Sequence, residues 1–358
     1  MTAAGAAGAV VALGVVAIAG WWRPTTVQRQ TVEPARSHES APKPVALYDM
    51  SVAGVVKRTS PSVAQVKVNL GSEQRVGSGV VLGPAGYLVT SAALVGSQGT
   101  ARVTFSDGTS FDGRVVSTDT VTALAVVHVD SSTLRTPDVA HTAPHVGDPA
   151  VAVSGPTDPA RTGLVTAGIV SGENRVVTAA NGELHDMVET DRPVPNESDG
   201  GALVNGDGAL VGVCLRPADS AGASAGTAGW AVPIDVAVKV VTDVAMTGHA
   251  RHVWLGAEVA DPPASTGRSS AASSRSPTDA EGDVGPVVQS VSPASPAARA
   301  GLRSGDVVTA IDHRAVTSKS GLISLLRRHQ PGDRVAVAFS HDGAPHAVDV
   351  VLQDRPPT

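Results

Sequence analysis

The sequence predicts a mainly β protein, in which a large barrel or sandwich of short strands precedes a smaller α+β domain. Short β-branched runs recur between residues 63 and 232, and each is ended by turn residues with no helical period between them. Aromatic residues make up only 3% of the 358 residues, while Gly (38) and Pro (25) are frequent. The cores must therefore be built from Val, Ala, Leu and Ile.

Composition and charge argue against some functions. The formal net charge of −6, with no evident basic face, argues against nucleic acid as the main partner. The single cysteine, Cys214, excludes an intramolecular disulfide. Cys214 stands in the apolar run 209–215, which is more typical of a small buried side chain than of a reactive thiol. The residue patterns predict no cofactor and no metal site.

The N-terminal segment, residues 1–22, predicts export. It contains no charged residue, and its apolar run at residues 9–19 is about long enough to cross a bilayer as a transmembrane helix. We expect an uncleaved anchor, which makes the chain a single-pass cell-membrane protein with its C-terminal domains outside the cytoplasm. A cleavable signal peptide is the alternative, because Ala17-Ile18-Ala19 matches a cleavage site, and the chain would then be secreted.

The remaining chain divides into a linker and two domains. Residues 23–48 mix Pro, Ser, Thr and both charge signs without an apolar period, and we expect a disordered tether. Residues 49–250 form the β-rich unit, closed by a helix at residues 234–247 that Asp235 caps and Gly248 stops. Its strands are predicted at residues 63–70, 79–82, 87–91, 101–105, 113–118, 124–129, 149–154, 163–172, 187–190, 202–204, 209–215 and 229–232.

Residues 251–358 form the smaller domain. We expect strands at residues 286–291, 306–311, 334–339 and 347–352, and helices at residues 296–300 and 319–329. The last two strands form a pair around His341-Asp342-Gly343. Residues 261–283 are dominated by Ser, Ala, Pro and Thr, which predicts a disordered insert.

Four stretches of the β-rich unit resemble the signature stretches of HtrA-type serine proteases in order and spacing. This resemblance implies a trypsin-like double β-barrel over residues 49–250. Residues 292–312, with Gly301-Leu302 and Gly305-Asp306, resemble the PDZ signature and imply a PDZ domain. The resemblance spans about residues 52–355. The four stretches are Gly77-Ser78-Gly79-Val80-Val81, Gly86-Tyr87-Leu88-Val89-Thr90, Leu124-Ala125-Val126-Val127 and Asp199-Gly200-Gly201-Ala202-Leu203-Val204-Asn205.

The catalytic triad that the resemblance implies is not present in this sequence. Such an enzyme needs a nucleophilic hydroxyl, an imidazole and an orienting carboxylate. The family's histidine position is occupied by Ala93, its aspartate position by Ala123 and its serine position by Asp199. We expect the oxyanion hole to be incomplete as well, because Glu197 stands where the family has the glycine whose backbone N–H helps to form it.

Rebuilding the triad from neighbouring residues is the less favoured interpretation. Ser198 lies one residue from the nucleophile position and lacks a base. No motif places His128, His141 or His145 beside that turn. We interpret His128 as a surface histidine. A carboxylate pair at Glu197 and Asp199 could supply acid/base chemistry, but solvated carboxylates in a relaxed loop explain these residues as well.

The PDZ-like domain keeps residues that the resemblance assigns to peptide binding. Backbone N–H groups of the loop Trp254-Leu255-Gly256-Ala257 would hold a peptide's C-terminal carboxylate, and the peptide would add as a strand beside Ala257, Glu258 and Val259. Leu322, Ile323 and Leu326 would form the pocket for its last side chain, although some of them must face the core.

Two functions follow from these residues. The first is an exported, membrane-anchored pseudoprotease, not an enzyme, that binds polypeptide C-termini or unfolded exported proteins as a scaffold, chaperone or regulator. The second is an active serine endopeptidase of envelope protein quality control, which requires three independent errors in the register given above. By analogy with the family, the chain would form a homo-oligomer, a trimer.

Overall fold

The computed structural model describes residues 51–157, 163–179, 182–217, 227–262 and 285–356. The predicted anchor or signal at residues 1–22, the linker at residues 23–48 and all but the first two residues of the predicted insert lie outside these ranges. Within the described ranges, no helix has both the length and the apolar character needed to cross a membrane.

The first β-barrel contains two of the three positions that the family's catalytic triad would occupy. Its strands are β1 Val63–Leu70, β2 Glu73–Val81, β3 Tyr87–Ser91, β4 Thr100–Thr104, β5 Ser110–Asp119 and β6 Leu124–Val129. They close in the order β1-β2-β3-β6-β5-β4, each pair antiparallel. Val66, Leu88 and Val127 fill its interior, because successive strand residues point to opposite faces.

A second barrel carries the third position. Its strands are β7 Pro149–Pro156, β8 Gly163–Ala179, β9 Gly182–Thr190, β10 Ala202–Val204, β11 Leu210–Leu215 and β12 Gly229–Pro233. They close in the order β10-β11-β12-β9-β8-β7. The two barrels approach closely at Gly155, where an added Cβ would lie 2.2 Å from the backbone of Ala64. The prediction of an all-β unit is confirmed, although β8 and β9 form a longer hairpin than expected.

In the described part of the barrel unit, three α-helices accompany the strands: α1 Val52–Thr59, α2 Ala92–Val95 and α3 Ile234–Thr247. Neither α1 nor α2 was predicted from the sequence. The prediction that Gly248 stops α3 is confirmed, since Gly248 has φ 83 and its N–H donates to the carbonyl of Val244. The prediction that Asp235 caps α3 is wrong. The N-cap residue is Pro233, and Asp235 accepts only the adjacent N–H of Val236 at 2.9 Å.

The C-terminal domain is a twisted sheet with two short helices, α4 Pro296–Arg299 and α5 Lys319–Arg327. Its main sheet has the order β14-β15-β16-β18-β19, β17 pairs with β16, and β13 pairs with β20. The predicted turn between the last two long strands is confirmed, with Asp342 and Gly343 both at positive φ. The strands are β13 Val253–Trp254, β14 Ala257–Ala260, β15 Val287–Val291, β16 Val307–Ile311, β17 Arg314–Ala315, β18 Arg334–His341, β19 Ala344–Val351 and β20 Gln353–Asp354.

Separate hydrophobic cores stabilise the barrels and the C-terminal domain. The largest core joins the two barrels through Val153, Val213 and the buried face of α3. The C-terminal domain has its own core, which includes Val308 and Leu322. Cys214 is fully buried and free, and burial raises the pKa of its thiol to about 12. The interpretation of Cys214 as an inert core side chain agrees with this environment.

Candidate functional site

Two of the family triad positions lie side by side in the first barrel. Ala93 belongs to α2, directly after β3, and is exposed. Ala123 ends the turn between β5 and β6 with φ 57. The N–H of Ala92 donates to the carbonyl of Ala123 at 2.9 Å, so a histidine and an aspartate at positions 93 and 123 would be neighbours. Both positions instead carry a methyl group, which can neither accept nor donate a proton.

Asp199 lies near these two positions, at the boundary between the two barrels. Its carbonyl accepts the N–H of Ser78 in β2 at 2.8 Å. The next residue, Gly200, has φ 82, and a Cβ there would lie 2.3 Å from the carbonyl oxygen of Ser78 and 2.9 Å from the nitrogen of Ser91. Only glycine fits this approach. The fold therefore brings the three positions that the sequence singled out close together, and the surface around Ala93, Ala123 and Asp199 is called the cleft below.

The Asp199 carboxyl group is held in place by the end of β11. Its Oδ1 atom accepts the N–H of Arg216 at 3.0 Å. The residue as a whole is half-buried, yet burial raises the pKa of the carboxyl group to about 6, against the opposing effects of the Arg216 N–H and the Ser91 hydroxyl. A carboxylate at this position cannot act as the attacking hydroxyl of a serine protease.

The loop before Asp199 turns its backbone N–H groups inward. Residues Asn196–Ser198 form a short 3-10 helix. The N–H of Asp199 donates to the carbonyl of Asn196 at 3.2 Å, and the N–H of Ser198 donates to that of Pro195 at 3.0 Å. The Glu197 carbonyl accepts the hydroxyl of Ser78 at 2.5 Å, which fixes the turn. An oxyanion hole needs such N–H groups to point into the cleft, and the N–H of Asp199 does not.

Ser198 is not presented as an alternative nucleophile. The residue is 1% exposed. Its hydroxyl oxygen is buried and has no hydrogen-bond partner in the described part of the chain. No imidazole or carboxylate therefore activates it there.

The predicted alternative histidines lie away from this loop. His128 is on β6 opposite Tyr87, and the two rings are in tilted contact with centroids 4.8 Å apart. It is half-buried against that ring, so its interpretation as a surface histidine is only partly correct. His141 and His145 are exposed between β6 and β7, and His145 faces Glu173 at 3.5 Å.

Arg75 contacts the cleft, and no sequence motif predicts this contact. Its Nη1 atom donates to the carbonyl of Ala93 at 2.9 Å, and its Nε atom pairs with Glu73. The two residues are 18 positions apart on different elements, so only the fold reveals the contact. Arg75 adds a cation beside the family's histidine position.

The predicted carboxylate-binding loop lies between β13 and β14 in the C-terminal domain. Trp254 ends β13, while Leu255 and Gly256 are buried and form the loop itself. The Leu255 carbonyl accepts the N–H of Ala297, which ties the loop to α4. Among the described residues, the N–H groups of Leu255 and Gly256 donate no hydrogen bond. They have the free donors that a carboxylate requires.

Gly256 shapes this loop through its backbone. It has φ 81, and an added Cβ would lie 2.2 Å from the Cβ of Ser295, which is fully buried. Larger residues are therefore excluded both by conformation and by space. Gly256 supports the fold of the loop as well as bordering the groove.

The three predicted pocket residues of α5 divide between two surfaces. Leu322 and Leu326 are buried in the core of the C-terminal domain. Ile323 lines a cavity of about 1240 Å³ between α5, α3 and β9, to which Leu326 also contributes, and the assignment of these residues to a peptide pocket stays a prediction. Successive helix residues point about 100° apart, and therefore Leu322 and Ile323 cannot share one face.

Contacts between the barrels and the C-terminal domain surround this cavity. Lys319 pairs with Glu183 of the β8–β9 hairpin at 2.9 Å, and Arg327 donates to the carbonyl of His185 at 2.8 Å. His252 contacts Asp119 of β5 at 2.8 Å, and this contact helps to lower the pKa of Asp119. These contacts join residues more than 130 positions apart, and no local sequence pattern predicts them.

Comparison with known proteins identifies both domains. Residues 77–213 match a family model described as a trypsin-like peptidase domain, and residues 257–352 match one described as a PDZ domain. The chain is 32% identical over 291 residues to the serine protease Do-like HtrA of Lactococcus lactis, with 77% of this chain and 70% of that protein covered. This protein belongs to the HtrA family.

Two further relatives support the assignment of this protein to the HtrA family. The serine protease PepD of Mycobacterium tuberculosis is 31% identical, and the match covers 84% of this chain and 66% of PepD. The solved structure of the HtrA-type protease AlgW with a tripeptide matches with a TM-score of 0.66 and 26% identity, covering 86% of this chain and 98% of AlgW. The resemblance read from the sequence motifs is thereby confirmed at the level of family and fold.

Proposed function

We propose that this HtrA-family protein is a pseudoprotease that binds polypeptides through its PDZ domain and does not cut them. The proposal depends on the residues of the cleft around Asp199. Ala93 and Ala123 supply no proton acceptor there, and the Asp199 N–H is bonded to Asn196. Losing the triad of such an enzyme costs about six orders of magnitude in rate.

Peptide binding is supported by the loop at the start of β14. The free N–H groups of Leu255 and Gly256 suit a terminal carboxylate, and the neighbouring strand suits an added peptide strand. The relative AlgW was solved with a tripeptide and with a decapeptide. We infer the same class of ligand here, namely polypeptide C-termini and unfolded exported proteins.

Export and assembly complete the proposal. The uncharged apolar segment at residues 1–22 supports a membrane anchor that leaves both domains outside the cytoplasm, or a secreted protein if that segment is cleaved. Assembly as a trimer is proposed by analogy with the family alone. A scaffold, chaperone or regulatory role in the cell envelope fits such a protein.

The alternative is an active endopeptidase, which the names of the relatives favour. The Lactococcus and Mycobacterium relatives are both called serine proteases. In this chain the serine adjacent to that position in the sequence is Ser198, whose hydroxyl is buried without a partner in the described ranges. A functional test must therefore ask whether Ser198 reacts.

The test uses the full chain with unfolded casein and with a fluorophosphonate probe that labels activated serines. We expect intact casein and no label, and the Ser198→Ala variant should behave identically. A matched control replaces Ser91, which lies beside the carboxyl group of Asp199, with Ala. Labelling that Ser198→Ala abolishes and Ser91→Ala leaves unchanged would establish the endopeptidase instead.

A further inference from the structure

The PDZ domain has a free sheet edge next to its carboxylate-binding loop. Strand β14 is the end strand of its sheet and pairs only with β15 among the described residues. Its outer N–H and C=O groups are available for a further strand. The strand begins at Ala257, directly after the free N–H groups of Leu255 and Gly256.

These positions fix the direction of an added peptide. With its terminal carboxylate at the loop, the peptide must run toward the start of β14, and it is therefore antiparallel to that strand. Its last residue then lies opposite Ala257, its penultimate residue opposite Glu258, and the residue before that opposite Val259. Side chains directly opposite each other in an antiparallel pair lie on the same face.

The two faces of β14 differ in chemistry. Val259 is 8% exposed and belongs to the domain core, so its face receives the apolar last side chain. Glu258 is exposed on the other face. Directly opposed side chains have Cβ atoms about 5 Å apart, within reach of an ion pair for a long cationic side chain. The penultimate side chain of the peptide is the one that meets Glu258.

A carboxylate oxygen of Glu258 is available to a ligand. It makes no ion pair with any residue in the described ranges, and its one side-chain hydrogen bond there is from the Ser290 hydroxyl to Oε2 at 3.0 Å. Asp261, exposed just past the end of β14, places a second negative charge along the same edge, although its Oδ1 atom accepts the N–H of Lys319. A cation opposite Glu258 gains an attraction, and an anion meets repulsion.

We propose that Glu258 makes this PDZ domain select C-terminal segments with Lys or Arg at the penultimate position. The inference rests on the proposed function, because it requires that C-termini bind at β14. It adds a class of ligand, an apolar last residue preceded by a basic one, and a specificity-determining residue.

The test compares three peptides of equal length, labelled at the N-terminus, with the same apolar last residue and Lys, Gln or Glu before it. Each is titrated into the full chain by fluorescence anisotropy at low and at high salt. We expect the Lys peptide to bind about two- to tenfold more tightly than the Glu peptide, with Gln between them. High salt should reduce the difference, since the pair is exposed.

Matched variants separate Glu258 from general electrostatics. Glu258→Gln should remove the preference, while Asp342→Asn, which removes one charge from the β18–β19 turn at the far edge of the sheet, should keep it. Equal affinities for all three peptides would overturn the inference and leave the proposed function standing. Failure of every peptide to bind would instead overturn the proposed function, and the inference with it.

Discussion

A carboxylate oxygen of Asp199 lies 3.0 Å from the backbone nitrogen of Arg216, which ties the family's nucleophile position to the end of β11. A serine hydroxyl at this position would have to face an imidazole from α2. The carboxylate turns instead to a backbone donor on its own barrel. Asp199 thus places a carboxyl group, and not a hydroxyl group, at this position.

The first prediction concerns the pH dependence of stability. Burial raises the folded-state pKa of Asp199 from 3.8 to about 6, so its contribution to stability is fully present below about pH 3.8 and is lost as the pH rises through about 6. Asp199→Asn removes the buried charge and should raise the free energy of unfolding at pH 7 by on the order of 1–3 kcal/mol.

Chemical unfolding of both proteins from pH 4 to pH 8 measures this difference. It should shrink as the pH falls below 6, and Asp342→Asn, at an exposed turn, should show no such trend. A variant equally or less stable than the parent at pH 7 would mean that the Arg216 contact outweighs the cost of burial.

The second prediction concerns repair of the cleft. Ala93→His, Ala123→Asp and Asp199→Ser restore the triad side chains, and Asp tolerates the positive φ of position 123 better than most residues. The turn at Asn196–Ser198 should still leave the oxyanion hole incomplete. Adding Glu197→Gly should let the loop turn its N–H groups outward and raise casein cleavage by about 10²- to 10³-fold over the triple variant.

Casein cleavage and fluorophosphonate labelling compare the triple and quadruple variants directly. The quadruple variant with Ala at position 199 is the matched control for background hydrolysis. A triple variant as active as the quadruple one would show that Glu197 does not disturb the oxyanion hole.

The third prediction concerns Gly256. The sequence alone suggests that Gly256→Val blocks the groove and leaves the domain folded. The positive φ and the approach to Ser295 change this expectation, and we now expect the variant to lose at least about 1–3 kcal/mol of stability. Thermal unfolding should report the loss, with Gly301→Ala as a control that has positive φ and nothing within 4 Å of the added Cβ. Equal losses would assign the effect to φ alone.

The fourth prediction concerns the terminal carboxylate. A peptide with a free C-terminus and an apolar last residue should bind the full chain with micromolar affinity, because the interface is small. Amidation removes the anion that Leu255 and Gly256 would hold, and affinity should fall about tenfold or more. Titration of both forms measures the ratio. Equal affinities would mean that the groove accepts internal segments.

The sequence predicted the fold because strand patterns and signature motifs are local, and the same motifs are the basis of the hypothesis that the triad is lost. Alternating apolar residues favour strands, and the signature motifs indicate which residues stand at positions 93, 123 and 199. Local sequence patterns did not predict the elements that depend on backbone geometry. The valines of α1 favour strand, yet Ser51 caps a helix there by accepting the N–H of Gly54 at 3.1 Å.

Contacts between distant residues were beyond sequence reasoning. His252 and Asp119 are 133 positions apart, and neither stands in a recognisable motif. The orientation of Ile323 likewise depends on the barrels packing against α5, which no property of the helix alone reveals. The inward N–H of Asp199 follows from the 3-10 turn, and the sequence indicated only that Glu197 was unfavourable there.

The central claim is that this protein binds polypeptides without cutting them. The most direct test asks whether one polypeptide is bound and then recovered uncut. An unfolded polypeptide of about 30 residues with a free, apolar C-terminus is incubated with the full chain, its binding is followed by anisotropy, and its mass is determined after recovery. We predict saturable binding and recovery of a single, intact mass. Shortened products that disappear in the Ser198→Ala variant would contradict this account.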